Sequence, residues 1–382
     1  MPCCMARKRH GTRSQDNIPH IVPQLAIFAW MNSKLGMTDE TWMSRCFDLA
    51  RRGLGSVSPN PPVGAVLVYE DRILGEGYHG YFGGPHAEVE AIRSVSPEDR
   101  HLVPLSTLYV SLEPCRITGK TPPCTDLILR EGIMDVRIST NDPNPSMAGS
   151  SLQHLRSKGI KITEGILKAE GNELIRTFST NILFQRPHVI LKWAQSKYNY
   201  IGTKGEQVWL SQPETSVWTH KQRSEVDAIL IGARTVETDN PSLTTRHYTG
   251  KSPHRVIYDP NGRLHQQYHV FNDDGCMIYY FSINPNPAID GTHIITTSFQ
   301  TNDDHLRLML DVLYAHQIGI LLVEGGAYLH NMFIQEALWD EAWVIKTQHP
   351  LDKGIVAPNV WGRLMGKVEI GGDVVVGIMR KK

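Results

Sequence analysis

The feature that most constrains this chain is a set of three soft donors and a carboxylate. They are His86 with Glu88 in His86-Ala87-Glu88, then Cys115 after Pro114, then Cys124. One imidazole and two thiolates suit zinc, and three protein ligands leave one tetrahedral position open. Water in that position ionises at a pKa of about 7. Glu88, two residues past the histidine, is placed to carry the proton. A strand-like run, TLYVSLEP, leads straight into Cys115. A strand end facing a helix that bears His86 and Glu88 would bring the donors together. Each fragment alone is weak, since His-Ala-Glu is commonplace on helices and two cysteines can be buried free thiols. Their combination favours the metal.

Hydrolytic deaminases pair H-x-E with P-C-x-x-C and use the glutamate as acid and base rather than as ligand. Here Cys115 and Cys124 stand nine positions apart, so a loop replaces the short turn between them. Cys124 follows Pro122-Pro123 at the start of a predicted helix. The partly positive helix end predicts that Cys124 is the thiol that ionises.

Lysine plus arginine equals aspartate plus glutamate at 39 each, so no global positive field exists to hold nucleic acid. Six irregularly placed cysteines do not form a disulfide framework, and a thiolate metal site is easiest to keep in a reducing cytoplasm. Residues 1–36 combine a basic start with a short, proline-containing apolar run. They read as a disordered upstream extension and not as a signal peptide or membrane span. No other segment reaches transmembrane length.

Residues 38–53 predict a helix whose apolar face is Trp42, Met43, Cys46, Phe47, Leu49 and Ala50. VGAVLVYEDRILGEGYH predicts a hairpin turning at Glu70-Asp71, and further helices and strands alternate to about residue 165. That alternation implies a layered α/β domain over 37–166. Residues 167–186 read as one linker helix, and Arg186-Pro187 opens a second α/β domain over 187–382. There GILLVEGGAYLHNMFIQ (319–335) reads as strand, Glu324, two glycines and helix, a junction that lets backbone N–H groups approach a phosphate. It lacks the G-x-G-x-x-G of a dinucleotide-binding Rossmann unit.

PNPPVGAVLV, GPHAEVEAI, LEPC, GKTPPC and NDPNP in the first half resemble the deaminase domain of the bifunctional riboflavin-biosynthesis deaminase/reductases. LKWAQS, QVWLS, HKQR, DAILIG, TDNPSLTTR and VEGG resemble the reductase domain of the same family. The resemblance implies a cytidine-deaminase-like three-layer domain followed by a dihydrofolate-reductase-like domain. It implies zinc on His86, Cys115 and Cys124, with Glu88 as proton shuttle. It implies that Asn60, His79 and Lys120 contact a pyrimidine ribotide, inferred to be 2,5-diamino-6-ribosylamino-4(3H)-pyrimidinone 5′-phosphate. In the second half it implies ribotide contacts at Arg223, Arg246 and Glu324, with Lys192 near the reacting sugar. NADPH contacts are implied at Ala194, Trp209, Thr235 and Asp239, and along Gly326, Ala327, Tyr328, Leu329, His330, Asn331 and Met332. The implied partner is thus a small molecule, with neither nucleic acid nor membrane, and a homo-oligomer is left open.

This chain departs from the family pattern in three places. Arg116-Ile117 stands where Ser-His or Ala-His is usual. Tyr198-Asn199 replaces Asp-Gly, although asparagine also tolerates a positive φ. Gln207 occupies a position where serine is common. A nucleoside or tRNA deaminase would instead show P-C-x-x-C and a basic face, neither of which is present. A zinc protein without catalysis would bind the metal and release no ammonia.

Overall fold

The computed structural model describes residues 37–117, 122–145 and 147–381. The expected upstream extension and Lys120 lie outside them. From Asp39 on, the chain forms one unit.

The first layers arise from the predicted alternation. Helix α1 (Asp39–Arg51) buries Trp42, Met43, Cys46, Phe47, Leu49 and Ala50, the predicted face. Strands β1 (Gly64–Tyr69) and β2 (Arg72–Tyr78) follow as an antiparallel hairpin. Its two turn residues, Glu70 (φ 47°) and Asp71 (φ 59°), are both left-handed, as a tight two-residue hairpin requires. Along β1, Ala65 and Leu67 pack on one face and Val66 and Val68 on the other, so the strand is covered on both sides. Helix α2 (Ala87–Arg93), strand β3 (Thr107–Leu112), helix α3 (Cys124–Arg130), strand β4 (Asp135–Thr140), helix α4 (Ser150–Ser157) and strand β5 (Lys161–Thr163) complete this half. The sheet order is β2-β1-β3-β4-β5, with β3, β4 and β5 parallel. Helix α2 lies unusually close to β2. A Cβ on Gly75 would fall 2.3 Å from the carbonyl oxygen of Ala91, and one on Gly77 2.3 Å from its nitrogen.

Residues 167–185, which the sequence pattern predicts as one helix, are two: α5 (Lys168–Leu174) and α6 (Arg176–Phe184). Ile175 between them leaves helical geometry at φ −97°, ψ 14°. The two helices dock on different sheets, and a single straight rod could not serve both. Gly171 of α5 sits against Ser139 of β4, and Asn172 accepts a 2.5 Å bond from Thr140. In α6, Asn181 donates to the carbonyl of Arg186 and to that of Gly319, and Arg176 pairs with Glu341; Gly319 and Glu341 belong to the second half.

That second half contains β6 (His188–Gln195), β7 (Tyr200–Gly202), α7 (Pro213–Glu225), β8 (Ala228–Gly232), α8 (Ala233–Asp239), β9 (His254–Tyr258), β10 (Ile278–Ser282) and β11 (Ile294–Ser298). Then come α9 (His305–Ala315), β12 (Ile320–Val323), α10 (Ala327–Gln335), β13 (Glu341–Lys346), β14 (Ile355–Val356), β15 (Gly362–Ile370) and β16 (Asp373–Arg380). The nine-stranded order is β11-β10-β9-β8-β12-β6-β13-β16-β15. Strands β11 through β13 in that order are parallel, and β16 and β15 close the edge as an antiparallel hairpin. Ala228 and Leu230 point into one core and Ile229 and Ile231 into the other, as a sheet with two covered faces demands. Because the central strands are parallel, their carboxyl ends collect at one edge, where ligands of open α/β sheets bind.

Candidate active sites in the two halves

Three elements deliver the first site. His86 is the N-cap of α2, Cys115 follows the carboxyl end of β3, and Cys124 opens α3. Their donor atoms all lie within 4.8 Å of one another. His86 Nδ1 is 3.3 Å from Cys124 Sγ and 3.4 Å from Cys115 Sγ. Tetrahedral zinc with ordinary bond lengths separates N and S ligands by about 3.5 Å. The imidazole and two thiols therefore fit that ion in both chemistry and spacing.

Glu88, the second residue of α2, is 3% exposed. Burial, and then the charge at Cys115, push its carboxyl above the ordinary carboxylate range. Cys124 opens α3, where the helix end favours a thiolate, but until a metal binds the neighbouring sulfur works against it. Cys124 donates its backbone N–H to Cys115 Sγ at 3.3 Å, and a thiol–thiol hydrogen bond pulls Cys115 down and pushes Cys124 up. Direct donation to the neighbouring sulfur outweighs the helix end. His79 is buried beside His86 in an edge-on contact of 5.5 Å, bonds the Pro85 carbonyl at 2.9 Å, and holds Asn60 Nδ2 at 3.1 Å. Burial lowers its pKa. Asn60 and His79 thus stand beside the three donors. Ile117, next to Arg116, is exposed.

Glu113 is a residue that sequence reasoning passed over. Buried just ahead of Pro114, it accepts hydrogen bonds from the N–H groups of Asp142, Gly149 and Ser151 and from the Ser151 hydroxyl. It ties the NDPNP loop to the site. Its signal was the acid directly preceding Pro114-Cys115.

The second site gathers at the strand ends of the larger sheet. Lys192 of β6, Glu324 after β12 and Arg223 of α7 form one buried cluster. Arg223 Nη2 is 2.6 Å from Glu324 Oε2, and Lys192 Nζ is 3.8 Å from Glu324 Oε1. Burial works against the charge on Glu324, but Arg223 and Lys192 outweigh it and hold the carboxyl at about 2. Burial lowers the Lys192 pKa. Arg246 is exposed at the rim, its backbone N–H held by His220 Nδ1 at 3.2 Å.

Beside this cluster a cavity of about 560 Å³ opens between residues 201–208, α8, the end of β9 and the start of α10. Thr235, Asp239, Gly326, Ala327, Tyr328 and Leu329 line it. The other residues expected at the cofactor do not. Ala194 is half-buried beside Ile345 of β13, and Trp209 is 69% exposed, which also excludes a core role. His330 turns inward, its ring bonded to the carbonyls of Gly326, Val323 and Lys192. Asn331 faces solvent and Met332 packs against the core. Only the first turn of α10 faces the cavity. Asn199 adopts φ 64°, the positive value expected where glycine is usual. Tyr198 is exposed and outside the cavity lining. Sequence reasoning missed Thr203, Lys204, Arg234, Tyr258 and Arg263 in the lining, because no motif marks them.

Fold and sites define a two-part enzyme: a cytidine-deaminase-like zinc domain joined to a dihydrofolate-reductase-like domain that takes a nucleotide cofactor. Residues 37–140 match the family model of the cytidine and deoxycytidylate deaminase zinc-binding region, and residues 187–350 match that of the RibD C-terminal domain. The riboflavin biosynthesis protein RibD of Aquifex aeolicus is 34% identical over 340 residues, covering 87% of this chain and 90% of that protein. RibD of Synechocystis is 37% identical over 346 residues, covering 88% of each. The crystal structure of the diaminohydroxyphosphoribosylaminopyrimidine deaminase/5-amino-6-(5-phosphoribosylamino)uracil reductase of Thermotoga maritima superposes with a TM-score of 0.81 at 35% identity, over 90% of this chain and 98% of that one. The chain belongs to the RibD family of bifunctional deaminase/reductases of riboflavin biosynthesis.

Proposed function

We propose that residues 37–166 deaminate a diaminopyrimidine ribotide and residues 187–382 reduce the ribosyl group of the deaminated product to ribityl with NADPH. The observation that carries the first step is the convergence of His86, Cys115 and Cys124 within 4.8 Å beside a buried Glu88. A zinc ion bound there would lower the pKa of water to about 7. Glu88 accepts a proton from the attacking water. Oxygen bonds to the ring carbon bearing the exocyclic amine. Glu88 then returns the proton to that nitrogen, which leaves as ammonia, while the remaining hydroxyl proton passes to the adjacent ring nitrogen and the ring keeps the oxygen as a carbonyl. Asn60 and His79 hold the pyrimidine, and Lys120 the phosphate.

In the second half, Arg223 and Arg246 clamp the ribotide phosphate, since a guanidinium binds it bidentately. Glu324 fixes Arg223 and faces the sugar. NADPH bound in the adjoining cavity would supply the hydride for the ribose C1′. Lys192, with its lowered pKa, hands a proton to the ring oxygen as the sugar opens. Gly326 and the first turn of α10 suit a pyrophosphate. Lys204 and Arg234 line the same cavity and can meet the phosphates of NADPH, beside Glu206, Asp239 and an Arg263 already paired with Glu237. Among the described residues no helix is long and apolar enough to cross a membrane, and the cysteines are free. Both facts support a reducing cytoplasm as the working compartment.

The test is a coupled assay on the purified chain, following ammonia and NADPH oxidation with and without a chelator. Chelation abolishes ammonia release and leaves NADPH oxidation of the deaminated ribotide intact. Bound zinc without ammonia release would leave the metal a structural role only.

A further inference from the structure

We infer that the reductase half positions the substrate loop of the deaminase half, through Asp227 and Ser58. The inference rests on the reading that Asn60 contacts the ribotide at the zinc site.

Residues Gly53–Asn60 form a short connection from α1 toward β1, held by its own turn bonds. Val57 N–H donates to Gly53 O at 3.2 Å and Asn60 N–H to Val57 O at 2.9 Å, while Phe82 N–H reaches Ser56 O at 3.0 Å. At one end Asn60 bonds His79 beside the donor cluster. Along the same connection, two residues earlier, the Ser58 hydroxyl donates to Asp227 Oδ2 at the foot of β8.

Asp227 is a fixed point. It is 9% exposed, and the same Oδ2 accepts the N–H groups of Gly319 at 3.0 Å and Ile320 at 2.9 Å, where β12 begins. Lys251 Nζ stands 3.5 Å from Oδ1. The carboxylate is therefore oriented by the larger sheet, and Ser58 comes to it. Two glycines show that the surfaces are fitted. Gly55 has φ +80°, and a Cβ there would meet the Ser224 carbonyl oxygen at 2.6 Å. A Cβ on Gly319 would meet Ser58 Oγ at 2.5 Å. Ser224 directly follows Arg223 of the second site. The loop that presents Asn60 is thus seated on the end of the helix that presents Arg223.

A loop ordered in advance spends no binding energy on its own ordering when the substrate arrives. Removing the anchor leaves Asn60 in place chemically but disordered before binding. The cost falls on the ground-state complex and the transition state alike, so KM rises while kcat holds. Asp227 and Ser58 are positioning residues and touch no reacting atom.

The test compares full-length Ser58→Ala, Asp227→Asn and Asn60→Ala in ammonia release, with zinc content and NADPH oxidation as parallel measurements. A hydrogen bond to a charged group is strong enough that partial loss of order raises KM on the order of threefold to tenfold. Ser58→Ala and Asp227→Asn are expected to do so with kcat within about twofold, and with zinc content and NADPH oxidation unchanged. Ser58→Ala removes one hydroxyl only, so it stays informative if Asp227→Asn disturbs Gly319 and Ile320. An unchanged KM in Ser58→Ala, with a raised KM in Asn60→Ala, would overturn the anchor alone. An unchanged KM in Asn60→Ala would overturn the substrate role of Asn60 and the anchor with it. A joint fall in kcat and zinc content in Ser58→Ala would also overturn it, showing a merely structural joint.

Discussion

Replacing Glu88 by glutamine tests the deamination chemistry at one atom. The carboxyl is 3% exposed and two residues past the His86 cap, so an amide of the same shape fits without moving the helix. What the amide cannot do is take a proton. Positioned acid–base catalysis contributes roughly 10²- to 10⁴-fold. Glu88 serves twice in one turnover, as acceptor from water and as donor to the amine, which favours the upper part of that range. The expected loss is therefore about 10³- to 10⁴-fold in kcat, or about 4 to 5.5 kcal/mol of barrier. Ammonia release is followed with the ribotide at saturation, alongside zinc content and NADPH oxidation on pre-deaminated substrate. Both parallel measurements stay at the parent level, because neither the three donors nor the second site is touched. A Glu88→Gln enzyme that keeps more than about a tenth of the parent rate would refute the assignment, since no proton carrier of that value would have been removed.

Three further outcomes follow from the packing and the charges. Cys115→Ser removes a soft donor, so metal analysis should show zinc lost together with ammonia release while NADPH oxidation persists. Gly77→Ala places a Cβ 2.3 Å from the Ala91 nitrogen and pushes α2 off the sheet. Thermal or urea denaturation should record a loss of at least about 2 kcal/mol, with deamination falling more than reduction. Glu341→Gln tests a buried charge network. Burial disfavours the Glu341 carboxylate, yet the hydrogen bond from His188 and the charge of Arg176 overcome it and hold the pKa at about 2. A depressed carboxyl stabilises the fold above its unfolded pKa, and that stability disappears as pH falls from about 4.5 to about 2. The parent should lose roughly 2–3 kcal/mol across that window, and Glu341→Gln should be less stable at neutral pH with a flatter acid profile.

Much of the first site was legible because its residue types declare their chemistry. Few patterns other than a metal site put an imidazole, two thiols and a carboxyl on a helix start, a strand end and a second helix start. The apolar runs of β1 and β8 likewise carried the sheets, since strands covered on both faces cannot hide them. The break at Ile175 was not legible. Neither glycine nor proline marks it, and the apolar period runs through; the sheets on either side impose it. The residues expected at the cofactor past Leu329 lie off the cavity for a related reason. A sequence match runs along α10 evenly, but a helix shows a cavity only one face and one end, and His330 is needed by three carbonyls beneath it. Thr203, Lys204, Arg234 and Arg263 were silent because nothing in the sequence separates a polar side chain that faces a cavity from one that faces solvent. That hydrogen bonds lower Cys115 and raise Cys124 depends on which sulfur receives them, and that is a matter of coordinates.

The one-residue seam at Ile175 has a practical consequence. Each short helix docks on its own sheet, and the helices that cover the faces of those sheets lie on the same side of the seam as the sheet they cover. Two fragments, ending at Leu174 and beginning at Arg176, would each retain a complete set of layers. Mixing them would offer a complementation assay in which the two chemistries can be mutated, titrated and recombined as separate molecules.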